Sequence, residues 1–267
     1  MRPLAVIGHL TRDLVVDGPP RIGGGPWYAG RALRLLGKRA RIAAKCGEPD
    51  RGPYLAHLAA LGLPVSVVTG GETTSFAIRY EADLRHMRVE AVGEPWRPDE
   101  AVEAIGDAEW VHVAALLRSD FPPETLAALG RGRRLLLDAQ GLVRVPRVGP
   151  LALDAGFDHE MLRHISFLKL AAEEAAALVG TPDEDALASL GVPEILLTLG
   201  SAGCAVFAAG RFEHVPARMV GGEVDPTGAG DAFAVSYLAA RSEGQAPASA
   251  ARRAAALVSG LLAGRTR

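Results

Sequence analysis

Short apolar runs and segments of helical period alternate along most of this chain, and that rhythm predicts its architecture. Residues 4–7 form an apolar run ended by Gly8, which reads as a buried strand. A loop through His9, Leu10, Thr11, Arg12 and Asp13 follows, then a short strand at 14–16. Gly23, Gly24 and Gly25 precede Pro26, and Ala29, Ala32, Leu33 and Leu36 recur at helical spacing until Gly37. A helix is therefore expected from about Pro26. Strands at 41–45 and 65–68 enclose a helix at 54–61 closed by Gly62. The same rhythm returns with strands at 110–114 and 134–138 around a helix at 123–129, and with a strand at 165–170 leading into a helix at 172–179. Strands at 194–199, 204–208 and 212–215 follow, and helices at 231–241 and 248–262 complete the pattern. Such alternation makes an α/β fold, a mostly parallel central sheet with helices on both faces.

Residues 74–92 break the rhythm. Phe76, Ile78 and Tyr80 share one phase, and Ala77 and Arg79 the other; Met87, Val89 and Ala91 repeat this after a polar turn at 81–85. Period-two alternation means strands with one covered face, a hairpin outside the central sheet. The sequence holds no internal repeat, low-complexity segment or linker-like boundary, so a single domain over 1–267 is expected.

Composition narrows the partners. The chain has 267 residues, 49% of them apolar, enough for a proper core. Its 29 Lys plus Arg against 31 Asp plus Glu leave a net charge of −2, which argues against nucleic acid or an anionic membrane as partner. No apolar run has the length of a membrane span, and Met1-Arg2-Pro3 leads into a strand rather than a signal peptide. Cys46 and Cys204 lie far apart without metal-ligand spacing, as expected of reduced, buried residues in a cytoplasmic protein.

The chemistry concentrates in Val224-Asp225-Pro226-Thr227-Gly228-Ala229-Gly230-Asp231-Ala232-Phe233. This polar, glycine-rich stretch runs straight into a helical pattern, and a helix start presents unpaired N–H groups and a partial positive charge. Gly228 and Gly230 let an anion approach that backbone, so the turn is a ready phosphate site. Asp231, in the first turn, lies beside any phosphate bound there and is a candidate base for a hydroxyl attacking it. Capping is the plainer role for a lone Asp. Two glycines, Thr227 and Asp225 crowded into the same seven positions favour chemistry.

The stretch resembles the C-terminal signature of the pfkB (ribokinase-like) carbohydrate kinases, Asp-Thr-x-Gly-Ala-Gly-Asp-x-Phe, with Pro226 in the usual Thr position. The resemblance implies a three-layer α/β/α fold with a small β lid near 11–18 and 74–92, covering the sugar site. It implies Asp231 as catalytic base, with the amides of Gly228, Ala229, Gly230 and Asp231 as the anion hole. ATP and Mg²⁺ are the implied cofactors. A potassium ion near the backbone of Asp225 and Thr227 is a further family feature.

Other residues fall into place beside this. Asp13 follows the first strand, where open sheets bind ligands, and a carboxylate there accepts hydrogen bonds from polyol hydroxyls; a turn-forming Asp is the plain alternative. His9 and Arg12 are candidates for the same cleft. Gly24 and Gly25 resemble the family's Gly-Gly-x-x-x-Asn substrate motif, with Ala29 at the Asn position. Gln140 and Arg144 follow the strand at 134–138, Gln140 as a substrate contact and Arg144 as a partner for phosphate charge or a solvated surface residue. Glu174 matches the Glu of the family's Asn-x-x-Glu motif and would hold magnesium through water, while Ala171 replaces the Asn. Thr198, Gly200 and Gly203 resemble the nucleotide loop, and Ala254, Ala255, Val258 and Ser259 stand where the family borders adenine, though they read equally well as a core helix. Within the family, Asp138-Ala139-Gln140-x2-Val143-Arg144, Phe167-Leu168-Lys169-x4-Glu174-Ala175 and Val224-Asp225-Pro226-Thr227 look nearest to the myo-inositol kinase-like branch.

The expected activity is ATP-dependent phosphorylation of a small polyol or sugar. A nucleoside kinase is the alternative, with Trp27, Tyr28 and Phe76 as candidate stacking residues. A non-catalytic sugar-binding relative ranks lower, because Asp231 and both glycines are intact. An exposed apolar face on the lid strands would allow a homodimer through them.

Overall fold

A computed structural model describes residues 3–15, 18–81, 84–218, 220–221 and 225–264, with backbone alone at 80–81 and 84–85. Fourteen strands are described: β1 Leu4–His9, β2 Thr11–Val15, β3 Arg21–Gly23, β4 Arg41–Cys46, β5 Val65–Thr69, β6 Ser75–Glu81 and β7 Leu84–Ala91. Then come β8 Trp110–Ala114, β9 Arg134–Asp138, β10 Gly149–Pro150, β11 Phe167–Ala171, β12 Glu194–Thr198, β13 Cys204–Ala208 and β14 Arg211–Val215. The helices are α1 Gly25–Leu35, α2 Glu48–Ala59, α3 Pro98–Ile105, α4 Pro123–Gly130, α5 Gln140–Val143, α6 Ala172–Val179, α7 Glu184–Ala188, α8 Ala229–Ser242 and α9 Pro247–Ala263.

Nine strands form the large sheet, in the order β14-β13-β12-β11-β9-β8-β1-β4-β5. The seven from β12 to β5 pair in parallel, and β13 and β14 add an antiparallel edge. Alternate residues of each strand enter opposite cores. Ala5, Ile7, Leu135, Leu137, Ile195 and Leu197 pack in one layer. Leu4, Val6, Leu136 and Leu196 pack in the other. Covering both faces explains why these strands read as continuous apolar runs. Helix α8 is buried from Ala232 through Ala240 and packs between α1 and α9, so it is apolar on every side.

The second sheet has the order β10-β7-β6-β2-β3. Phe76, Ile78 and Val89 turn inward and pack with Leu117, which reaches up from the loop after β8. The outward positions Arg79, His86, Arg88 and Glu90 are exposed and polar. The large exposed apolar side chains among the described residues, Leu35 and Val148, lie outside its strands. Among the described side chains of these strands, no large apolar one is exposed.

The three-layer α/β fold with a smaller sheet is as expected, and local differences have physical reasons. Residues 11–13 are strand, as the lid near 11–18 implies and against the loop read from the local pattern, because β3 and β6 flank them. Val16, Val224 and the tip of the 81–85 turn lie outside the described residues. Helix α2 starts six residues early, from Glu48 and Pro49 with Asp50 in its first turn; Gly52 and Pro53 hide its period. Helix α3, unforeseen, buries only Ala101, Ala104 and Ile105. Strands β3 and β10 span only three and two residues, too short to carry a pattern.

Candidate active site

The C-terminal ends of the parallel strands open into a cavity of about 620 Å³ beneath the second sheet, where open α/β sheets place ligands. Helix α8 aims its N-terminus there. Gly228 caps it in the left-handed region, φ 76°, and the Tyr28 ring presses against its Cα: a Cβ would lie 2.3 Å from two ring carbons. Asp225 accepts the Thr227 N–H at 2.9 Å, which shapes the turn. Thr227, Gly228, Ala229, Gly230 and Asp231 all line the cavity. Of the four amides expected to hold an anion, that of Ala229 donates to the Pro226 carbonyl at 2.9 Å.

Asp231 stands on the cavity floor, pushed up to about 7 by burial and by the Asp138 charge, against the opposing pull of Lys169 and Arg144. Gly25 does not line the cavity, but its Cα abuts this carboxylate, since a Cβ would lie 2.9 Å from Asp231 Oδ1. Three strands bring His112, Asp138 and Lys169 beneath it. The Lys169 ammonium lies 3.2 and 3.3 Å from the two Asp138 oxygens. His112, Asp138 and Asp231 present ligand atoms within 4.8 Å of one another. The Lys169 ammonium already serves Asp138 as its cation, however, and burial together with Lys169 holds His112 neutral, down at about 3. Sequence reasoning quoted Asp138 and Lys169 without giving them roles and missed His112. The available signal was a lysine inside the apolar strand β11.

At one end of the cavity, Thr11 donates to Asp13 at 2.7 Å, and Gly23 touches the same carboxylate. Asp13, Gly24, Gln140, Tyr28, Phe76 and Met87 line this end. Arg144 lies 3.8 Å from Glu174 Oε1, so it faces the cavity rather than bulk solvent. Glu174 is buried and accepts the Ala171 N–H on its other oxygen at 2.8 Å. At the far end are Thr198, whose hydroxyl donates to the Leu170 carbonyl, then Leu199, Gly200 and Gly203. Ala255, Val258, Ser259 and Leu262 close this end, with Arg218 and Val220, which sequence reasoning did not single out.

Five expected positions are elsewhere. Arg12 pairs with Asp50 at 2.7 Å, on the opposite face of β2 from Thr11 and Asp13. His9 is fully buried between Asp120 and the Glu94 carbonyl. Trp27 packs edge-on against His57 under the Arg31 guanidinium. Ala29 and Ala254 are core residues. Cys46 and Cys204 are buried and unpaired, their thiols pushed up to about 11 mainly by burial.

Known proteins resemble this chain in sequence and fold. The chain is 29% identical to a fructokinase of Klebsiella pneumoniae, over 88% of this chain and 82% of that one. It is 27% identical to a cytidine kinase of Thermococcus kodakarensis, over 92% and 90%. The structure of a pyrophosphate-dependent kinase in the ribokinase family, complexed with a pyrophosphate analog and myo-inositol, matches with a TM-score of 0.86 at 28% identity, covering 99% of this chain and 96% of that one. Residues 21–262 fit the profile of the pfkB family carbohydrate kinases. With nearly the whole chain matched and the glycine-rich helix start at the cavity floor, this protein belongs to that family of kinases.

Proposed function

We propose that this kinase transfers a phosphoryl group from ATP to a hydroxyl of a small polyol or sugar, with myo-inositol the first acceptor to try. The observation that carries this reading is Asp231, a carboxylate of raised pKa on the floor of one cavity with two differently furnished ends. The end at Asp13, Thr11 and Gln140 suits hydroxyls. The end walled by Leu199, Ala255, Val258 and Leu262 suits an adenine ring.

In the reaction, Asp13 and Gln140 hold the acceptor, and Asp231 takes the proton of the attacking hydroxyl. The helix start and Arg144 stabilise charge on the transferred group, and holding both partners in line supplies much of the rate. Glu174 fits a magnesium ion held through water: it is buried at the cavity wall, and among the described residues one of its oxygens has only the distant Arg144 as partner. When bound, the ion would neutralise phosphate charge. The second sheet acts as a lid that excludes water.

A nucleoside acceptor is the second reading, supported by Tyr28 and Phe76 at the acceptor end and by the likeness to a cytidine kinase. The donor also has a rival in pyrophosphate, the substrate of the structurally similar kinase. The test is phosphate transfer, with ATP or pyrophosphate, to myo-inositol, ribose, fructose, adenosine and cytidine. Turnover of a polyol or sugar with ATP, lost in Asp231→Asn, is the expected result. Turnover of nucleosides alone selects the second reading. Binding of a polyol without turnover on either donor overturns both in favour of a sugar-binding relative.

A further inference from the structure

Lys169 is the charged residue inside an otherwise apolar strand, and only 3% of it is exposed. Burial opposes its charge, but Asp138, Glu174 and Asp231 outweigh that and hold it above its ordinary value, so it stays an ammonium. Stability alone does not account for it, because a buried ion pair is seldom better than an apolar pair of the same size. Its other neighbour is the turn that opens α8. Nζ lies 3.1 Å from where a Cβ on Gly230 would stand, so the missing side chain is what lets the ammonium reach this backbone. An ammonium has three N–H donors, and the Asp138 oxygens engage two at most. Lys169 also lines the cavity, beside Gly228, Gly230 and Asp231.

We propose that Lys169 is a catalytic residue that contacts the phosphoryl group in flight and carries its developing charge. The assignment rests on the kinase reading above. As the acceptor oxygen bonds to phosphorus, the bond from phosphorus to the donor's bridging oxygen breaks. That oxygen leaves with the electron pair, the acceptor's proton passes to Asp231, and Lys169 keeps all three of its protons.

The test compares wild type, Lys169→Met and the double variant Lys169→Met/Asp138→Asn, in which the Asp138 carboxylate is not left buried without its cation. Each is assayed with the donor and acceptor that wild type uses. Removing one donor from an oxyanion site lowers kcat by about 10²–10³-fold. That loss is expected in both variants, with the acceptor KM within threefold. Binding by calorimetry gives a readout independent of turnover. Affinity for the terminal phosphoryl group should fall at least tenfold, read as AMP-PNP against ADP for an ATP user, or methylenebisphosphonate against orthophosphate for a pyrophosphate user. ADP or orthophosphate affinity should hold. Recovery of kcat in the double variant, or equal loss of affinity for both members of a probe pair, makes Lys169 structural and overturns the assignment while the kinase reading stands. Wild type inactive with both donors overturns the kinase reading and this assignment together.

Discussion

At the scale of single residues, the chemistry turns on how far the fold moves Asp231 from its ordinary value of 3.8. Burial first and the Asp138 charge second raise it to about 7. A general base works only when ionised, so kcat/KM should rise with pH through about 7 and level off above it. Stability carries the opposite sign. The folded state holds a proton that the unfolded chain releases between about 4 and 7, so ionisation of Asp231 progressively destabilises the fold across that window. Compared with Asp231→Asn, the wild-type Tm should match below pH about 4 and fall behind as pH rises to 7. The variant should keep its fold, lose the pH limb and lose about 10²–10⁴-fold in kcat. Melting curves and rate profiles on both proteins check this, and an unchanged limb in the variant would place the base elsewhere. Asp231 was legible because its whole context is consecutive in sequence. Lys169, Asp138 and His112 were not, because they meet only through the neighbouring positions of β8, β9 and β11 in the sheet. Arg12 was misplaced for a related reason: adjacent residues of a strand face opposite ways, so Asp13 keeps Thr11 for company and Arg12 leaves to meet Asp50.

At the scale of elements, the decisive join is the turn into α8, where two demands fall on one residue. Gly228 adopts φ 76°, and Tyr28 from α1 fills the space a side chain would need. A left-handed conformation alone costs a non-glycine residue about 1–2 kcal/mol. Overpacking adds typically about 1–3 kcal/mol. Gly228→Ala should therefore lower stability by about 2–5 kcal/mol and weaken phosphate binding as the turn shifts. Adding Tyr28→Ala should relieve the ring's share of the overpacking and leave the contact with its Cβ and the backbone part, a partial recovery that denaturant unfolding of the single and double variants would measure. Full recovery in the double variant would mean that the left-handed conformation is not required. The glycines themselves were readable as a helix-opening turn; the packing of Gly228 against Tyr28 was not, since nothing local links positions 28 and 228. Long, periodic elements such as α8 and α9 were also readable. Pattern alone made residues 11–13 a loop while the resemblance made them part of a lid, and the lid is right: β3 nearby and β6 far along the chain pair with β2.

At the scale of the whole molecule, the cavity has a floor and a roof built from separate sheets, and their connection decides how well water is kept out. The large sheet supplies Lys169 and helix α8 beside it supplies Asp231 and the opening turn, while the second sheet supplies Asp13, Phe76 and Met87. Leu117 joins the two, as it stems from the loop after β8 yet is fully buried among Phe76, Ile78 and Val89. Asp120 anchors that loop by accepting the N–H groups of Leu116 and Leu117 at 2.7 and 3.1 Å. Truncating such a leucine leaves a cavity that typically costs about 2–5 kcal/mol. In Leu117→Ala the loss falls between the sheets, because Leu117 belongs to neither of the two cores that flank the large sheet. With Asp231, Lys169 and the α8 turn untouched, the chemical machinery stays intact but its roof packs less well. Water then competes with the acceptor for the phosphoryl group. The expected outcome is a higher acceptor KM, donor binding close to wild type, and a larger share of donor hydrolysed without transfer. Parallel assays of donor consumed and acceptor phosphorylated measure that share directly. An unchanged ratio, alongside the expected fall in Tm, would mean that the second sheet shapes the acceptor site without governing the entry of water.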